Sequence, residues 1–97
     1  MIINRIESSP LKTKRFRAYT SDGNYYDFSL RGANTFLDHG DINKRDAYRK
    51  RHLGNPKEKQ LIENLTMSPS LLSYYLTWGK YTDINKNIIL LNNLLKK

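Results

Sequence analysis

Cysteine is absent from this 97-residue chain. No disulfide can staple the fold, and no thiolate is there to hold a metal or attack a substrate. Long apolar runs are missing too. The longest, Ile88–Leu91, falls far short of the ~20 residues that a membrane-spanning helix needs. The opening MIINRIESSP lacks the apolar stretch of a signal peptide, so neither a leader nor a transmembrane segment is expected. Glycine and proline are sparse, at 5 and 3 residues, and no linker, repeat or low-complexity tract divides the chain. Acid is scarce: 9 Asp and Glu stand against 17 Lys and Arg, a net charge of +8. That excess favours an anionic partner, whether nucleic acid, an acidic protein surface or lipid headgroups.

Catalytic signatures are missing as well. There is no glycine-rich phosphate loop and no G-x-S-x-G elbow. Ser68, Ser70 and Ser73 have no histidine–acid pair placed to activate them. His39 and His52 are the two histidines. Asp38, His39 and Asp41 are too few, and too close to Gly40 in a connector, to make a closed metal site. The expectation is a non-enzymatic protein with no cofactor, no metal and no small-molecule substrate.

What the chain does have is one apolar centre. Ser68–Lys80, SPSLLSYYLTWGK, crowds Leu71, Leu72, Tyr74, Tyr75, Leu76 and the single tryptophan, Trp78, into about three helical turns. Aromatic side chains bury the most area per residue, so this segment predicts a central helix. Ser68 fits its N-cap, Pro69 its first turn, and Gly79 a left-handed residue after its end.

Upstream, Met1–Leu11 reads as an edge strand or an arm. Residues 1–11 are assigned as an N-terminal arm and 12–97 as a single small α+β domain. Lys14–Thr20 and Tyr25–Leu30 alternate as two strands around Asp22-Gly23, a hairpin signal in which both turn residues tolerate positive φ. Phe16, Tyr26 and Phe28 would face inward. Arg15 and Arg17 would share the outer face with Tyr25 and Asp27, where opposite charges can pair across strands. Phe36 pins the connector. Asp41–Leu53 reads as a helix capped by Asp41, with Ala47 and Tyr48 inward and an Asp46–Lys50 ion pair at helical spacing. Asn55, Pro56 and Glu58 open a further helix. Ile84, Ile88, Leu91 and Leu95 form the inner stripe of a last one, with Asn85, Lys86, Asn92 and Asn93 outward. The architecture expected is α+β, an N-terminal β-hairpin packed on three or four short helices. Its core is expected to include Phe16, Phe28, Phe36, Leu72, Tyr75, Trp78, Ile88 and Leu91.

Two basic clusters carry the functional signal. Lys12, Lys14, Arg15 and Arg17 form one; Lys44, Arg45, Arg49, Lys50 and Arg51, with Tyr48 among them, form the other. Arginines interleaved with tyrosines suit phosphate contact and base stacking. They suit protein interfaces equally.

The stretches GNYYDFSLRGANTF, RDAYRKRH and SPSLLSYYLTWGK, followed by an Ile/Leu-rich closing helix, give a further lead. This order resembles a family of small basic proteins of nucleocytoplasmic large DNA viruses, of the phycodnavirus and mimivirus type. The likeness runs through Phe28–Phe36, Lys44–His52 and Pro69–Lys80, and spans residues 16–91. It implies a virion-associated structural protein with no catalytic role. Such a protein would be made in the host cytoplasm or nucleus and would lie in the capsid as a minor capsid protein. Its partners would be the major capsid protein and other minor capsid proteins. The alternative is a basic protein that neutralises or packages viral DNA.

Overall fold

A computed structural model describes residues 1–97 as an antiparallel three-stranded sheet, ordered β1-β2-β3, followed by helices that pack on one of its faces. The fold is α+β, as the sequence predicts. The strands are β1 (Ile3–Ser8), β2 (Lys14–Thr20) and β3 (Tyr25–Leu30). The helices are α1 (Phe36–His39), α2 (Ile42–Gly54), α3 (Pro56–Glu63), α4 (Pro69–Leu72) and α5 (Ile84–Leu95). None is long and apolar enough to cross a membrane.

The N-terminal arm is a correction. Residues 3–8 pair with β2 as an edge strand, so the arm belongs to the domain. A register irregularity between Ile3 and Arg5 explains why its pattern is hard to read. A bulge adds one residue to a strand and resets its alternation. Ile3 and Ile6, three apart, therefore both pack on the core. Asn92, expected to face solvent, fastens this edge. Its Nδ2 donates to Ile3 O at 3.0 Å, and its Oδ1 accepts from Ile3 N at 2.8 Å. The amide thus supplies one rung of ladder pairing at an open edge.

The β2–β3 loop forms where Asp22-Gly23 predicts it. Gly23 alone has positive φ there, at 85°, because the connection is a four-residue loop closed by Thr20 N donating to Asn24 O. The expected inter-strand pairing occurs on the outer face: Arg17 lies opposite Asp27 and donates two hydrogen bonds to it, at 2.9 and 3.1 Å.

Ile3, Ala18, Phe28, Met67, Leu71, Leu72, Leu76 and Leu91 form the main core. Phe16, Tyr75 and Ile88 pack against it half-buried. Phe36 is buried outside this cluster, under the Arg45 guanidinium at 5.0 Å. Trp78 also lies outside it, half-buried. Ala47, expected inward, is exposed.

Ser68 caps the central helix, accepting from Leu71 N at 3.2 Å. After one α-turn the helix widens into a π-helical turn, Ser73–Thr77. Gly79 follows, with a role different from the expected left-handed cap: its φ is not positive. A Cβ there would sit 2.0 Å from Tyr75 O, so glycine is required by close backbone approach. Behind it, fully buried Asn87 ties the turn to α5. Its Nδ2 donates to Leu76 O at 2.9 Å and Tyr81 O at 2.8 Å, and its Oδ1 accepts from Tyr81 N at 2.9 Å. Buried amides are tolerated when satisfied in this way.

Candidate functional site

Asp41 caps α2 by accepting from Asn43 N and Lys44 N at 3.0 and 3.2 Å. This helix has no fully buried residue, so it is held by its contacts at two sides. On one side Tyr48 stacks on Trp78, with centroids 4.2 Å apart and planes 10° apart. His52 continues the stack from Tyr48 at 4.3 Å, and His39 meets Trp78 at 5.4 Å. Four rings from α1, α2 and the end of the π-turn thus form one row. Burial pushes the Tyr48 hydroxyl's pKa up, reinforced by the nearby Glu58 carboxylate.

The basic residues divide by what they touch. Arg15 donates two hydrogen bonds to Asp38, at 2.7 and 2.8 Å. Asp38 also accepts from Thr35 N and the Thr35 hydroxyl. The Arg15 guanidinium, helped by those donors, holds the Asp38 carboxyl well below the usual range. Arg17 lies 4.0 Å from the Tyr25 ring centroid and bridges to Asp27. Arg45 bonds Asp46 at 3.0 Å, so the expected Asp46–Lys50 pair gives way to its immediate neighbour. The Arg49 guanidinium lies over the Tyr74 ring at 4.1 Å, its Nε buried and without a hydrogen-bond partner. These four arginines are largely spent on the fold.

Lys14, Lys44, Lys50 and Arg51 have no carboxylate within ion-pair distance. Lys44, Ala47, Lys50, Arg51 and Trp78 together line a groove of about 570 Å³. Lys44, Ala47 and Arg51 fall at i, i+3 and i+7, one face of the helix. Trp78 also borders a cavity of about 360 Å³ lined from β3, α2 and α4, with Lys14 and Glu58 among its lining residues. The structure therefore draws Lys14, Lys44, Tyr48 and Arg51 toward one aromatic wall. It sends Arg15 to α1, Arg17 to the sheet's outer face, and Arg45 and Arg49 into packing. Lys50, a member of the second basic cluster, joins this groove; sequence reasoning missed Trp78 as a surface wall.

Asp38, His39 and Asp41 are occupied by structural work. His39 Nδ1 accepts from Asp41 N at 2.9 Å. His52 Nδ1 lies 3.2 Å from Glu58 Oε2, across the α2–α3 junction. Glu58 in turn reaches Ser70 at 3.5 Å. The carboxylate thus sits between the histidine and the serine.

Residues 5–52 match the model of a family of unknown function, DUF5754. The likeness runs from β1 to α2. It takes in both basic clusters but stops short of Trp78. Among curated proteins and among solved structures, nothing matches the chain.

Proposed function

We propose that this protein is a non-enzymatic binding module that holds the phosphate backbone of nucleic acid on the exposed face of α2. The observation that carries the reading is the division of the cations. Arg15, Arg17 and Arg45 are neutralised by Asp38, Asp27 and Asp46, while Lys44, Lys50 and Arg51 converge on the groove beside Trp78 with no carboxylate partner. Unpaired cations pay no internal exchange when they meet phosphate, and they release the counterions that drive such binding. A protein with net charge +8 also attracts a polyanion from a distance.

The test uses the single tryptophan as a reporter, by titrating a short poly-dT strand at low salt. Lys50→Glu/Arg51→Glu should weaken binding more than tenfold. Lys96→Glu/Lys97→Glu, with the same change in net charge at the far end of α5, should weaken it far less. Equal losses in the two variants would refute a site on α2.

A second reading, a minor capsid protein of a large DNA virus seated against capsid subunits, is supported by apolar side chains left in water. Leu30, Ile42 and Ile89 are 61%, 56% and 62% exposed. Its test is compositional: the protein should be present in purified particles at a fixed ratio to the major capsid protein. Both readings can hold together if the protein lines a shell that faces the genome.

A further inference from the structure

α5 carries apolar side chains on more than one face. Ile84, Ile88, Leu91 and Leu95 pack in or against the core. Ile89 points away from it and is 62% exposed, more than any other large apolar side chain of the protein. Leu90 beside it is half-buried. With Tyr81, Lys86 and Asn93 these two residues line a groove of about 370 Å³. A helix that is apolar beyond its core-facing stripe calls for a second neighbour. Lys86, Ile89, Leu90 and Asn93 fall at i, i+3, i+4 and i+7, one stripe along the helix. Lys86 has no carboxylate within ion-pair distance.

We propose that this stripe is the contact face of a two-fold homodimer, in which α5 packs antiparallel against α5 of a second copy. A two-fold contact must be complementary to itself, and this stripe is. With the axis between Ile89 and Leu90, Ile89 meets Leu90 of the second copy and Lys86 meets its Asn93. No lysine of the stripe faces a lysine. The two ends match in charge as well. Asp83, the one acidic residue after Glu63, caps the start of α5, and Lys96 and Lys97 follow its end. Antiparallel packing carries Lys97 to within about one turn of Asp83 of the second copy, and it sets the two helix dipoles head to tail. A parallel pair would set Lys86 against Lys86. An anionic surface would find Asp83 and Asn93 where it needs cations; a second copy uses both. A contact built on one 12-residue helix is at the small end of interface sizes, so the dimer is weak. Its face shares no residue with the α2 groove, so the proposal stands apart from the nucleic-acid reading. A strand that fills one groove reads one protomer in either state.

The test is sedimentation velocity over a concentration series, in about 0.15 M salt so that screening limits repulsion between chains of net charge +8. The weight-average mass of the parent should climb from one chain toward two. Ile89→Glu should hold it at one chain throughout. Asn93 reads the register. Asn93→Glu places a carboxylate opposite Lys86 of the second copy, twice by symmetry, and should tighten the dimer about 2- to 30-fold. Asn93→Lys sets lysine against lysine and should weaken it by a similar factor. Both positions are exposed. Melting followed by circular dichroism identifies any variant that does not fold, and the Asn93 pair stands if Ile89→Glu fails. A parent that stays monomeric at every concentration would overturn the proposal, and its co-sedimentation with vesicles of anionic lipid would give the face to a membrane. A dimer that is unmoved by Ile89→Glu, or Asn93 variants that shift it in the same direction, would overturn it too.

Discussion

Asn87→Ala removes a side chain that no other residue replaces. The amide donates to Leu76 O and Tyr81 O and accepts from Tyr81 N. It is 1% exposed. A buried polar group stranded without its partner costs about 1–3 kcal/mol. Leu76 is fully buried, so its carbonyl bears that cost in full; Tyr81 is 37% exposed, and water relieves part of it there. With the small void added, the expected loss is about 3 kcal/mol. That is a large share of the roughly 5–15 kcal/mol that holds a domain together. At about 4–8 °C per kcal/mol for a chain of this size, Tm should fall by about 12–24 °C. Asn85→Ala, two residues away and exposed, should leave Tm nearly unchanged. Asn87→Asp adds a signature. Its carboxylate would face two carbonyls, so its folded pKa would rise above the unfolded value. The variant should then be most stable in acid and lose stability as pH rises through that folded pKa. Thermal melting by far-ultraviolet circular dichroism reads all three variants. An Asn87→Ala melt within about 3 °C of the parent, less than 1 kcal/mol, would refute the role given to this amide.

Other perturbations test other joints. Gly79→Ala would force a Cβ to 2.0 Å from Tyr75 O, and it should cost about 3 kcal/mol or more in urea denaturation; a cost under about 0.5 kcal/mol would mean that the turn yields freely. Asp38 has its folded pKa lowered by Arg15, so it adds stability above the unfolded carboxylate pKa of about 3.9 and loses it as pH falls. Asp38→Asn should therefore flatten the fall of Tm between about pH 5 and pH 2, and an unchanged slope would contradict that linkage. Ser29→Val should destabilise by about 1–2 kcal/mol because a branched side chain resists the left-handed backbone, while Ser29→Gly should not; equal melts for the two would remove the strain from the account.

Much of the fold is legible because local chemistry agrees with the whole. Asp41, Asn55 and Ser68 each cap the helix they announce. Ile84, Ile88, Leu91 and Leu95 form the stripe that their spacing implies. What stays hidden depends on contacts distant in sequence. Nothing near Asn92 says that its amide will meet Ile3, 89 residues away. The bulge beside Asn4 erases the alternation by which a strand is recognised. The site is harder still. Composition marks the cations, but only the fold assigns acids to Arg15, Arg17 and Arg45 and leaves Lys44, Lys50 and Arg51 without them. Arg45, whose side chain is 18% exposed, and Arg49 were expected to be free surface charges; both are packing residues, so reversing them would test folding and binding together. Trp78 reads as core in sequence because large aromatics usually are. Here it borders two cavities.

The claim that α2 binds phosphate is tested most directly by the salt dependence of single-strand affinity. Each phosphate neutralised contributes about 0.7 to the slope of log K against log salt, so contacts from Lys44, Lys50 and Arg51 should give a slope of about −2. Lys50→Glu/Arg51→Glu should flatten it to about −0.7, while Lys96→Glu/Lys97→Glu should leave it near the parent value. A slope that is unchanged by the α2 reversal, or flattened equally by both, would contradict the account.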